Sequence, residues 1–154
     1  MILPNIASLP VLLVDDEPQI LKSFSIMLKS SGVKDVLTCE DSREVFAILE
    51  RQEIAAIVMD LSMPHISGAD LLGRISQSYP QVPVIIMTAR NEIETAVGCM
   101  QTGAFDYLVK PVEISRFEAS VKRALELRAL KSEVFSLKRY LLDGRLENEG
   151  SFSE

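Results

Sequence analysis

Five short apolar runs, rich in β-branched residues, alternate along this chain with amphipathic stretches. The runs are Val11–Val14, Val36–Thr38, Ile54–Met59, Val82–Met87 and Phe105–Val109. Between them, apolar residues recur at helical spacing: Ile20, Leu21, Phe24, Met27 and Leu28, then Val45, Phe46 and Leu49, then Leu71, Leu72 and Ile75. Strands separated by helices cannot pair as hairpins. They lie parallel, with the helices returning over both faces of one sheet. The first, third and fourth runs are nearly continuous in apolar residues, which marks them as the central strands. Pro18 suits a first helical turn, Asp41 and Ser42 can cap the second helix, and Gly103 can end the fourth.

The strand order expected of this pattern is 2-1-3-4-5, the doubly wound, flavodoxin-like α/β arrangement. In such sheets ligands sit beyond the carboxyl ends of the strands, where the strand order reverses. Five polar residues fall at those ends: Asp15 and Asp16 after the first strand, Asp60 after the third, Thr88 after the fourth and Lys110 after the fifth. A carboxylate taken out of water is unfavourable unless it neutralises, pairs or meets a cation. Three acids brought to one edge therefore point to a cation site, with at least one pKa raised when no metal is bound. Taken singly, each residue has a plainer reading. Asp15 or Asp16 can cap the helix that starts at Pro18, Asp60 can open a turn ahead of Pro64 and Gly68, and Lys110 can be a solvated lysine before a proline. His65, the only histidine, reads as a solvated loop residue. Met59, Met63 and Met87 read as core filler.

The segments VLLVDDEP, AAIVMDLSMP, VIIMTAR and DYLVKP deliver the ordered set Asp-Asp, Asp, Thr, Lys, each from a strand end. In this the chain resembles, over residues 9–128, the receiver domain of two-component response regulators. Each motif is weak alone, but the ordered set in strand context is specific. The resemblance implies that Asp60 accepts a phosphoryl group from a sensor histidine kinase. It implies a Mg²⁺ (or Mn²⁺) ion held by Asp16 directly, by Asp15 mainly through water, by Asp60 and by the backbone carbonyl of Ser62. Lys110 and Thr88 would serve the phosphoryl oxygens, and Thr88 and Tyr107 would act as the switch. Ser62 and Arg90 stand where relatives tune phosphate lifetime, Ala89 leaves the approach open, and the Lys110-Pro111 peptide is cis in the family.

Two other aspartyl- or phosphate-binding classes fit less well. Haloacid dehalogenase-like phosphotransferases resemble DxDx(T/V) on the first strand, where this chain has DDEP. A flavodoxin-like cofactor binder needs a Gly/Ser/Thr phosphate loop there, and two carboxylates would repel a phosphate lacking a metal.

The final helix, beginning near Glu113, is expected to run on to Leu142, about 45 Å at 1.5 Å per residue. Leu127, Leu130, Val134, Leu137 and Leu141 form an a/d seam along it. Two readings stay open: a parallel coiled coil between two copies, giving a homodimer, or an amphipathic helix folded back on its own domain. The expected organisation is a leader over 1–8, a receiver over 9–128, a helical linker over 129–143 and a flexible tail over 144–154. That tail resembles the junction before the AAA+ ATPase domain of NtrC-type activators, an output domain absent from this chain. A standalone receiver acting by protein contact is the alternative.

Net charge is −6, from 16 basic and 22 acidic residues, the wrong sign for a segment that itself holds nucleic acid. Cys39 and Cys99 lie in apolar surroundings without metal-ligand spacing and read as reduced and buried. The apolar leader lacks a positive start and is broken by Pro4 and Pro10, unlike a signal peptide. No apolar run nears the ~20 residues that span a bilayer. A cytoplasmic location without membrane attachment is therefore expected.

Overall fold

A computed structural model describes residues 8–152. The five strands are β1 (Val11–Val14), β2 (Val36–Cys39), β3 (Ala56–Asp60), β4 (Val84–Thr88) and β5 (Asp106–Val109). The helices are α1 (Pro18–Ser30), α2 (Val45–Arg51), α3 (Gly68–Ser78), α4 (Ile93–Thr102) and α5 (Ile114–Phe152). All strand pairs are parallel, in the order β2-β1-β3-β4-β5. This is the doubly wound arrangement expected from the alternating pattern.

Alternation along each strand divides the core between the two faces. Val11 and Leu13 of β1, Ala56 and Val58 of β3, and Ile85 and Met87 of β4 pack with Leu21, Phe24 and Leu28 of α1 and with Phe117, Val121 and Ala124 of α5. Leu12, Val14, Ile57, Met59, Val84 and Ile86 pack on the other side with α2, α3 and Cys99 of α4. Both sheet faces are thus dry, which is why the central strands read as unbroken apolar runs rather than alternating ones. Phe24 and Phe117 stack at 4.6 Å between ring centroids and lock α1 to α5.

Local signals act largely as expected. Pro18 opens α1, where its missing N–H costs no hydrogen bond. Gly103, with φ of 127°, ends α4 in a conformation that a side chain would strain. Asp41 does cap, its carboxylate accepting from the Arg43 N–H of a short 3₁₀ turn that leads into α2. Ser42 does something else. It is buried, donating its hydroxyl to the Pro64 carbonyl at 2.9 Å and accepting from the Ile66 N–H at 3.1 Å, so that it braces the loop between β3 and α3. A partner twenty-two residues away leaves no trace in the local pattern around Ser42.

α5 departs from expectation. It does not stop at Leu142 but continues as helix through Gly144 to Phe152, where a flexible tail was expected. Gly144 and Gly150 each cost about 1 kcal/mol against alanine, which does not by itself break a helix, and no proline lies between Pro111 and Phe152. Nor is the helix folded back: Leu130, Val134, Leu137 and Leu141 are exposed, as are Phe135, Tyr140 and Leu142. Among the residues whose burial is described, the last buried one is Arg128, and Lys131 reaches the Pro80 carbonyl at 3.1 Å. The leader, apart from Ser8, lies outside the described residues. No described helix is long and apolar enough to cross a membrane.

Gly68 starts α3 against the backbone of the third strand's end. A Cβ there would stand 2.7 Å from the Asp60 carbonyl oxygen and 2.7 Å from the Leu61 Cα. Gly68→Ala is therefore expected to destabilise the domain by about 2 kcal/mol, as overpacking against backbone does. Urea unfolding with a lower midpoint and unchanged slope is the check.

Candidate functional site: an acidic cluster closed by a lysine

Strand register builds the site. Val14 lies beside Met59 and Asp60 beside Met87, while Thr88 lies beside Val109. The residues just past those pairs then share one edge. The Leu61 N–H continues the ladder to the Met87 carbonyl and the Lys110 N–H to the Thr88 carbonyl, each at 2.8 Å. Asp15, Asp16 and Asp60 consequently offer carboxylate oxygens that all lie within 4.8 Å of one another. Asp15 is fully buried, Asp60 nearly so, and Asp16 is exposed.

Lys110 closes the cluster. Its Nζ stands 3.0 Å from Asp60 Oδ2 and 3.4 Å from Asp15 Oδ2. Two N–H groups hold the remaining oxygens: Glu17 N–H donates to Asp15 Oδ1 at 2.9 Å, and Ser62 N–H to Asp60 Oδ1 at 3.2 Å. Burial pushes the Asp15 carboxyl above its ordinary range, against the Glu17 N–H and the Lys110 charge, which favour its ionised form. The expected rise of one pKa is thus found at Asp15. Burial alone would lower the Lys110 ammonium. The hydrogen bond to Asp60 and the charges of Asp60 and Asp15 outweigh it, so Lys110 is held above the ordinary lysine range.

The capping alternative is not realised: α1 begins without a side-chain cap, and Asp15 accepts instead from the Glu17 N–H in a local turn bond ahead of the helix. That bond accounts for one oxygen of one acid. Hard carboxylate oxygens, clustered and only partly compensated by one lysine, fit a divalent cation.

Thr88 is buried at the same edge, but its hydroxyl donates to the Ala89 carbonyl at 3.2 Å. Tyr107 is half-buried on β5 and packs against the core on the α2–α4 side. The Lys110-Pro111 peptide is cis. His65 is exposed in the loop after Asp60 with φ of 73°. Cys39 and Cys99 are buried free thiols, both pushed up by burial.

One residue at this edge has no motif to announce it. The Ser62 hydroxyl donates to the Glu92 carboxylate, 2.6 Å from each oxygen. Glu92 belongs to the short 3₁₀ turn between β4 and α4. A lone acid four residues past Thr88 carries no distinctive spacing, so only the fold reveals it.

A doubly wound sheet gathers three acids and a lysine where its strand order reverses, a carboxylate cluster that could hold a metal ion. The chain belongs to the response regulator receiver domain family, whose sequence profile matches residues 11–122. It is 35% identical over 127 residues to the alginate biosynthesis transcriptional regulatory protein AlgB of Pseudomonas aeruginosa, covering 82% of this chain and 28% of that protein. It is 34% identical over 148 residues to the C4-dicarboxylate transport transcriptional regulatory protein DctD of the same organism, covering 93% and 32%. A response regulator receiver domain protein from Clostridium thermocellum superposes with a TM-score of 0.75 at 32% identity, covering 79% of this chain and 98% of that one. The chain thus spans less than a third of the length of either regulator.

The raised Asp15 carboxyl has a measurable consequence. The folded state binds this proton more tightly than the unfolded state does, so the stability it contributes is present at low pH and lost as pH rises through the folded-state pKa. Asp15→Asn keeps an acceptor for Glu17 and removes the buried charge. In metal-free buffer at neutral pH the variant is expected to melt higher than the wild type, with the gap narrowing as the pH is lowered. A divalent cation should stabilise the wild type and leave the variant's Tm nearly unmoved.

Proposed function

We propose that Asp60 is the phosphoacceptor of a two-component response regulator, receiving its phosphoryl group from the phosphohistidine of a sensor histidine kinase. The observation that carries this reading is Lys110 held between Asp60 and Asp15 within a three-carboxylate cluster. An Asp60 carboxylate oxygen attacks phosphorus, the P–O bond forms as the P–N bond breaks, and the imidazole leaves with the electron pair. Asp16 directly, Asp15 mainly through water, Asp60 and the Ser62 carbonyl would hold a Mg²⁺ or Mn²⁺ ion, which would supply positive charge against the phosphoryl oxygens. Lys110 trades its carboxylate contact for a phosphoryl oxygen. Thr88 turns its hydroxyl from the Ala89 carbonyl toward the phosphate, and Tyr107 moves with it, remodelling the surface of α4, β5 and α5. The chain acts in signalling, its chemistry limited to gaining and losing its own phosphate.

The output is read through α5. The exposed Leu130, Val134, Leu137 and Leu141 form the a/d seam of a parallel homodimer, and the relatives' roles in transcription support an attached AAA+ ATPase output domain. The seam favours this over a standalone receiver. A cytoplasmic location follows from the kinase partner.

Labelling with a small acyl phosphate donor tests the chemistry. Incorporation is expected to approach one phosphate per chain, to require Mg²⁺ and to vanish in Asp60→Asn; Mg²⁺-independent labelling would overturn the assignment. Light-scattering mass with and without beryllofluoride and Mg²⁺ tests the dimer. A dimer for the wild type and a monomer for Leu130→Glu/Leu137→Glu are expected.

A further inference from the structure

We propose that Glu92 and Ser62 form a latch that holds the receiver in its unphosphorylated conformation. This rests on the reading of Asp60 as phosphoacceptor and adds a positioning residue to it. The juxtaposition is specific: the Ser62 N–H is bonded to Asp60 Oδ1, and the hydroxyl of the same serine is bonded to both oxygens of Glu92. Glu92 is thereby two hydrogen bonds from the carboxylate that takes the phosphate.

The latch matters because little else secures the start of α4. Neither the 3₁₀ turn Arg90–Glu92 nor α4 has a side-chain N-cap. The first two turns of α4 expose Ile93 and Val97, with Met100 beyond them, and bury only Ala96 and Cys99. Two side-chain hydrogen bonds bear on the connection from Thr88 to α4, the Thr88 hydroxyl on the Ala89 carbonyl and the Ser62 hydroxyl on Glu92, beside the backbone bond from the Glu92 N–H to the Ala89 carbonyl at 3.0 Å. Of these only the Ser62 contact ties the turn to another loop by a side chain. Both side-chain bonds must yield before Thr88 can reach a phosphoryl oxygen.

Phosphorylation supplies the force that opens the latch. A phosphoryl group adds about −1.5 to −2 charges and strong acceptor oxygens beside Ser62. The serine hydroxyl gains a competing acceptor, and the Glu92 carboxylate faces a like charge. A charge-assisted hydrogen bond favours the unphosphorylated state, so removing it shifts the population toward the active one and tightens binding of any phosphoryl mimic.

The test is calorimetric titration of the full chain with beryllofluoride in saturating Mg²⁺, for wild type, Glu92→Ala, Ser62→Ala and the double variant. Both side chains are solvent-accessible, and Ser62→Ala leaves the backbone N–H and carbonyl in place. Each single variant is expected to bind about fivefold tighter than wild type, and the double variant no tighter than either single one. Amide exchange across Ile93–Thr102 should quicken in Glu92→Ala without beryllofluoride, a change that simple relief of charge repulsion would not produce. Equal or weaker affinity in the single variants, additive effects, or unaltered exchange would each overturn the latch. Failure of the wild type to bind beryllofluoride would instead overturn the phosphoacceptor reading.

Discussion

The Lys110 ammonium, shared between Asp60 and Asp15, is the contact on which the upper edge of the sheet depends. Three carboxylates within 4.8 Å repel one another, and one of them is fully buried. Lys110 offsets this only in part, and the Asp15 carboxyl stays above its ordinary range, chiefly because it is buried and in lesser measure because Asp60 stands beside it. The fold tolerates the arrangement because both sheet faces are packed dry. The cost of gathering like charges is set against two hydrophobic cores rather than against a single helix or turn. An edge that is poised in this way responds to added charge, whether positive or negative.

Much of this was legible beforehand because it is local or periodic. Parallel strands follow from the alternation of apolar runs with amphipathic stretches, and the acids fall at carboxyl ends whatever the details of packing. The cluster of Asp15, Asp16 and Asp60 with Lys110 needed only strand order and register, which the apolarity of the central strands implied. What escaped is long-range or unpatterned. Ser42 carries the composition of a cap yet spends its hydroxyl on Pro64 and Ile66, and Glu92 carries no motif at all. The end of α5 lies beyond the polar stretch that opens at Gly144, because Arg145, Leu146, Glu147 and Glu149 are good helix formers and its two glycines weaken a helix without ending it.

Asp106, at the start of β5 and the far end of that strand from Lys110, shows how α5 is joined to the sheet. It accepts from the Ser120 hydroxyl at 2.8 Å and from Arg116 and Arg123 at 3.3 Å each. It also precedes Tyr107 on β5, whose N–H it receives at 2.8 Å. Ser120 is buried, whereas the two arginines are half exposed and contribute little on their own. The strand that carries Tyr107 and Lys110 is thus tied side chain to side chain to the root of the long helix.

That helix runs from Ile114 to Phe152, with Arg128 its last buried residue among those described and the Lys131 ammonium on the Pro80 carbonyl a further contact with the domain. The arm beyond Lys131 is about 32 Å long at 1.5 Å per residue, so a tilt of only about 10° at its seat would sweep its far end through about 5.6 Å. Motions too small to disturb the core around Phe117 and Val121 become displacements larger than a helical turn at the other end.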